Sequence, residues 1–272
     1  MYFDFNIPYN ERTQVENILA RIQSSQNATI ALSITSNEPL TSNSVQSIEP
    51  IATDRFPNIK QLKRVTIQVT DPKQNYQLMT NNIANKNVDI LAVRPMTLEA
   101  TKHACQTYDA DIISLDFHAK HVVPNHATAQ LAIQRGMFFE VCYAPAFRTA
   151  HHRNTFFSNV KRLVEVTRGD NIIFSSDALQ ALELRSANDM KMFGQLLGMS
   201  HTQVEAAVSQ NCQRLLLKAE TRQSTLNAAI RMDFIVPEPE NQSNKRKVDQ
   251  NESSQPNQKK KKKNKAKNNK AV

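Results

Sequence analysis

The chain has 272 residues, 40% of them hydrophobic and 22% charged, and a formal net charge of +9. That length suits one large α/β domain or two small ones with a sizeable core. The opening MYFDFNIPYN has no basic region followed by an apolar run, and no stretch approaches the roughly 18 apolar residues of a membrane span, so neither a secretory signal nor a span is expected. Cys105, Cys142 and Cys212 lie far apart with no CxxC pair, as expected of reduced thiols in an intracellular protein rather than of a disulfide framework.

Tyr2 to Ile7 alternates aromatic and apolar residues with Asp4 and Asn6 and stops at Pro8, as a first strand does. Val15, Ile18, Leu19 and Ile22 then fall at helical spacing between about Asn10 and Ile22. Thr29 to Ile34 is a second strand. Residues 35–60, rich in Ser, Thr, Asn and Pro, have no usable periodicity and read as a surface insertion. Leu62 to Val69 is a third strand, and Asp71-Pro72 is a helix start with a capping Asp and Pro at the first position.

Val88 to Val93 is a fourth strand that runs into Arg94-Pro95, and Thr97 caps a helix reaching about Thr107. Asp111 to Leu115 is a fifth, ending in Asp116-Phe117-His118. A helix from about Asn125 to Arg135 follows and closes at Gly136. Phe138 to Tyr143 and Asn171 to Phe174 are nearly unbroken apolar runs, which suits parallel strands buried on both faces. Between them lies a helix from His152 to Arg168, stopped by Gly169. A helix from Ala187 to Leu197 follows. A capping box at Ser200-His201-Thr202-Gln203 then opens a helical stretch continuing to about Gln223.

The repeat of strand then helix predicts an α/β fold, a TIM-barrel-like barrel of about seven parallel strands, with no convincing eighth. The barrel domain spans 1–236. From Pro237 the composition turns to Pro, Glu, Gln, Ser, Asn and Lys, so 237–272 is expected to be a disordered tail. This tail holds 11 Lys and Arg against 4 Asp and Glu, leaving 23 against 21 for the barrel domain. The positive charge is therefore concentrated in the tail, which points to an acidic partner or an import signal.

Strand C-terminal ends are where such folds carry their sites, which makes Ala144-Pro145-Ala146-Phe147-Arg148 and Ser175-Ser176-Asp177 the first loops to consider. No GxGxxG, GxxxxGKS or GxSxG is present, and Ser175-Ser176 reads as a small loop admitting a close approach rather than as a nucleophile. Arg94, Arg148, Arg153, Lys161, Arg162, Arg168 and Arg185 follow strand ends or line the adjoining helices. As a group they form a candidate RNA-contacting face, because the guanidinium fork suits phosphate. Ordinary surface placement is the plain alternative, and for Arg185 an ion pair with Glu183 or Asp189 serves equally well. Lys245, Arg246 and Lys247, then Lys259, Lys260, Lys261, Lys262 and Lys263, have the spacing of a bipartite nuclear-import signal and equally suit sequence-independent RNA contact. Asp116, His118 and His121, with His126, at the carboxyl end of the fifth strand, together with Asp4 and Asp177 at or near other strand ends and Glu140 inside the sixth strand, are the best case for a metal-dependent phosphoesterase. No HxH or HExxH spacing supports it.

FFEVCYAPAFR, the helix beginning near Arg153-Asn154-Thr155, NIIFSSDALQALELRSANDMKMFGQLLGMS and VEAAVSQNCQRLLLKAETRQ together resemble the thirty-kilodalton protein subunit of ribonuclease P, in its archaeal and eukaryotic form. The likeness is strong over Phe138 to Gln223, weaker from Tyr2 to His126, and does not reach the insertion or the tail. It implies a barrel related to the polymerase and histidinol phosphatase fold but without that fold's metal-binding set. Phe3-Asp4-Phe5-Asn6 stands where the metal-binding relatives carry an HxH pair. It further implies a subunit that supports an RNA catalyst working with its own Mg ions on precursor tRNA. The same subunit would be shared with the related ribonuclease MRP that processes precursor rRNA, and paired with a small RRM-like subunit in the nucleus and nucleolus. No cofactor bound by this chain is implied.

Overall fold

The computed structural model describes residues 1–23, 27–38, 48–71, 78, 87–148, 150–151 and 153–224. Seven strands, β1 (Tyr2–Pro8), β2 (Ala28–Ser36), β3 (Ile59–Val69), β4 (Ile90–Pro95), β5 (Ile112–Ser114), β6 (Phe138–Cys142) and β7 (Ile172–Ser175), pair in sequence order, each parallel to the next. The sheet curls into a nearly closed barrel. Its seam lies between β1 and β7, where Asp177 N donates to Asn6 O (2.9 Å) and Ser176 N to Asp4 Oδ1 (2.9 Å). The small Ser-Ser step thus admits another backbone, as its composition suggested.

Strand side chains alternate between two cores, as the period of two requires. Outward residues such as Ile30, Val65, Leu91, Ile113, Phe139 and Phe174 pack against the helices. Inward residues Phe3, Phe5, Ala31, Ile90, Ala92, Ile112, Phe138 and Ile173 form a separate cluster inside the barrel, joined by Cys212 and Leu215. Both of these come from a helix over Asn211–Ser224 that lies across the N-terminal ends of the strands. Asn211 Nδ2 donates to Ile172 O (2.9 Å), Lys218 Nζ to Ala110 O (3.0 Å), and Arg222 pairs with the buried Asp111 (2.9 Å).

Helices α1 (Arg12–Gln23), α2 (Leu98–Gln106), α3 (His126–Gln134), α4 (Ala144–Arg148) and α5 (Arg153–Thr167) follow β1, β4, β5 and β6. Thr97 and Asn125 cap α2 and α3, accepting from Ala100 N and Thr128 N. After β7 come α6 (Ala187–Leu196) and α7 (His201–Glu205), each opened by a capping box, and then α8 (Asn211–Ser224). Gly194 lets α6 approach α7, since a Cβ there would stand 2.5 Å from Val204 Cγ1.

Three expectations change. APAFR is one helical turn rather than an irregular loop, with Pro145 in the first turn where no backbone N–H is needed. The helical stretch after Ser200 is interrupted by a π turn at Ala206–Gln210, which packs against β1 and β7 along the seam. Within 35–60, β2 runs on to Ser36, β3 starts at Ile59, and Ile48, Ile51 and Phe56 are buried in the outer core. The Gln61 side chain holds both backbone groups of Ile51 at 2.8 Å, so this part is pinned to β3 instead of lying on the surface. The helix expected from Pro72 and the expected disordered tail, with its lysine cluster, lie outside the described residues. No helix among the described residues is long and apolar enough to cross a membrane.

Candidate functional site

One period-two step beyond the inward apolar cluster, the barrel turns polar. Arg64 and Glu140 face each other across its middle, both fully buried, with Nη2 2.7 Å from Oε2. Arg64 also donates to Phe5 O (2.7 Å) and Thr66 Oγ1 (3.0 Å), so all three guanidinium nitrogens are engaged. Burial alone would raise the Glu140 carboxyl. The adjacent Arg64 prevails and holds it at about 2.

The next step along the strands reaches the open C-terminal end. Arg94, Ser114 and Cys142 project there because they continue the inward alternation of Ala92, Ile112 and Glu140, and Asn6 joins them where the register of β1 shifts between Asp4 and Ile7. Arg94 Nη2 donates to Ser114 Oγ (3.2 Å), whereas its Nε is buried and has no partner among the described residues. Asn6 Nδ2 lies 3.3 Å from Cys142 Sγ. Burial, reinforced by Glu140, pushes the Cys142 thiol well above its usual range, so it does not act as a thiolate. Asp177, in the left-handed region at φ 52°, borders the same mouth as Arg94 without an ion pair between them. Burial raises its carboxyl, and Arg94 opposes that. The resulting cavity has a volume of about 150 Å3.

Of the histidines and carboxylates of the metal reading, Asp116, His118 and Asp177 border this cavity and the others do not. Asp116 Oδ1 stands 3.6 Å from His118 Nδ1 at the mouth. His121 is exposed, in the left-handed region at φ 59°, and His126 Nδ1 lies 2.7 Å from Val166 O. Asp4 is sealed in the seam, and Glu140 is committed to Arg64. Among the described residues no group of three or more His, Cys, Asp or Glu could hold a metal ion.

The seven candidate basic residues divide into three sets. Arg148, Arg153 and Arg185 gather around α4: Arg148 pairs with Glu183 (2.7 Å) and donates to Asp177 O, Arg153 donates to Ala146 O, and Arg185 donates to Leu182 O and Leu184 O over the Phe147 ring. Glu183 is thus the partner of Arg148, while Asp189 caps α6 through Ser186. Lys161, Arg162 and Arg168 are exposed on α5 and just past its end, without an ion pair among the described residues. Arg94 stands apart, at the mouth. The sequence reading missed Arg64. Its signal was a charged residue on the inward parity of LKRVTIQV, matched by Glu140 on the inward parity of FFEVC.

The family model described as RNase P subunit p30 matches residues 1–224. "Protein GAMETOPHYTE DEFECTIVE 1" of Arabidopsis thaliana is 37% identical over 177 residues, covering 65% of this chain and 30% of that one. "Ribonuclease P protein subunit p30" of Mus musculus is 36% identical over 181 residues, covering 64% and 66% respectively. The chain therefore spans less than two thirds of the length of either relative. Among solved structures, a chain of "cryo-EM structure of archaeal Ribonuclease P with mature tRNA" superposes with a TM-score of 0.67 at 14% identity, covering 87% of this chain and all of that one, which identifies the same fold.

Proposed function

The chain belongs to the RNase P subunit p30 family, and from this we propose that it is a protein subunit of a ribonuclease P ribonucleoprotein, in which RNA, and not this chain, performs the cleavage. The family match across the whole barrel carries the reading. The organisation of the barrel supports it, since its central charges are committed to each other and its mouth gathers hydrogen-bonding groups. The partners are the ribonuclease P RNA, the RNA of the related MRP ribonuclease, and further protein subunits including a small RRM-like one. Precursor tRNA and precursor rRNA are the substrates of the assemblies, with Mg bound by the RNA. The place of action is the nucleus and nucleolus, with Lys245, Arg246 and Lys247 and the run Lys259 to Lys263 serving import, RNA contact or both.

Phosphate contacts on the barrel fall to Lys161, Arg162 and Arg168, whose cations are exposed and not spent on the fold. Arg148, Arg153 and Arg185 instead hold α4 and the turn after β7 in place. Sequencing the RNA that co-purifies with the tagged full chain tests the reading. Enrichment of a ribonuclease P-type RNA is the expected result, reduced by replacing Lys161, Arg162 and Arg168 together with alanine. Recovery of no structured RNA would overturn it.

A further inference from the structure

The mouth cavity is chemically mixed in a way that restricts what fits it. Arg94 borders the cavity, and its buried Nε has no partner among the described residues. Asp177 borders the same cavity, and among the described residues its carboxylate accepts no hydrogen bond and forms no ion pair. The Gln68 side chain adds a donor and an acceptor. The rings of His118 and Phe156, with centroids 5.4 Å apart, form part of the wall. A phosphate or other oxyanion would satisfy Arg94 but would face the carboxylates of Asp177 and Asp116 across a cavity of about 150 Å3. A cation would meet Arg94. The complementary ligand is neutral and flat, and carries an acceptor beside a donor on one edge.

From this geometry we infer that the mouth receives a single unpaired guanine base of a bound RNA, with O6 accepting from Arg94, N1–H and N2–H donating to Asp177, and the ring lying against His118, which the buried Phe156 backs. Guanine carries acceptor and donors side by side on its pairing edge, whereas adenine presents a donor where O6 stands and would leave Arg94 unpartnered. Splaying one base out of a strand, stacking it on an aromatic wall and reading its pairing edge is a general mode of single-stranded RNA recognition. The inference rests on the reading that this chain meets RNA. It adds a sequence preference, which lysine and arginine contacts to phosphate do not supply.

The test uses the full chain and two uridine pentamers, one with a central guanosine and one with a central adenosine, whose phosphates contact the basic residues alike. Binding is followed by fluorescence anisotropy and by the Met96 methyl resonance, since Met96 borders the cavity. The guanosine pentamer should bind more tightly by about five- to a hundred-fold, as one good bidentate base contact discriminates, and should shift the Met96 signal. Asp177→Asn and Arg94→Lys should each reduce that ratio toward one while both pentamers keep their phosphate-driven binding, a readout that a misfolded variant would not give. Equal binding of the two pentamers by the wild-type chain would overturn the proposal. So would displacement of the guanosine-dependent Met96 shift by millimolar inorganic phosphate, which would mark an oxyanion site. Failure of the parent reading would appear elsewhere, as loss of co-purifying RNA from cells.

Discussion

The two ends of this barrel are built from the same residue types to opposite effect. At the N-terminal ends of the strands, Arg222 of α8 reaches the fully buried Asp111 at 2.9 Å and donates also to Val88 O (2.9 Å). Asp111 additionally accepts from Leu91 N (2.9 Å). At the C-terminal ends, Arg94 and Asp177 border one cavity without pairing, and a buried guanidinium nitrogen has no partner among the described residues. Between them, Arg64 and Glu140 close the barrel centre. Buried charges are tolerated when paired and hydrogen-bonded. The closed end and the centre therefore serve the fold, and the open end is where binding can be gained at little structural cost.

Removing Arg64 should have the largest effect on stability. Arg64→Met leaves Glu140 charged and unpaired in the barrel, and should cost about 4–5 kcal/mol in chemical denaturation. Replacing both, Arg64→Met with Glu140→Leu, should recover most of that, because the penalty arises from the orphaned partner. Arg222→Ala should cost about 3–4 kcal/mol for the same reason, slightly less because Asp111 keeps its bond from Leu91 N.

Asp4 in the seam provides a third test, through pH. Burial raises its carboxyl from 3.8 to about 6, against the hydrogen bonds from Ser176 and Asn6 that favour the charged form. A raised native pKa means that the protonated group is the one the fold prefers. Its contribution is full below pH 4 and is lost as pH rises through 6, a fall of about 3 kcal/mol for the two-unit shift. Asp4→Asn keeps an acceptor for Ser176 N and should remove this fall, as measured by denaturation at pH 4, 5, 6 and 7. Glu140, held at about 2, acts in the opposite sense, stabilising above the usual carboxylate range and losing that contribution only as pH falls toward 2. The smallest stability effect should come from the open end. Arg94→Lys should change the unfolding free energy by less than about 0.5 kcal/mol, because Arg94 forms no ion pair among the described residues. A large loss there would erase the contrast between the two ends.

Much of this fold was legible because parallel strands buried on both faces leave unbroken apolar runs, as in FFEVC and NIIF, and because Thr97, Asn125, Ser186 and Ser200 mark helix starts by their own chemistry. Ile48, Ile51 and Phe56 were not legible. They are isolated apolar residues on an irregular segment, where burial follows from tertiary packing and no period announces it. The π turn was hidden for a similar reason, since AAVSQ is an unexceptional helical sequence and only the seam between β1 and β7 explains the extra residue. At the site, residue types alone could not separate Arg148, spent on Glu183, from Arg94, left with an unused nitrogen. Nor could they show that Glu140 faces Arg64, 76 positions away in the chain.

On the function proposed above, this chain positions RNA and does not cut it. The most direct measurement assays precursor tRNA cleavage by the assembly purified through the tagged chain, before and after nuclease digestion of its RNA, in Mg. The account predicts correct 5′ cleavage that digestion abolishes and that the isolated chain does not reproduce. Cleavage that survives digestion, or that the isolated chain performs, would contradict it.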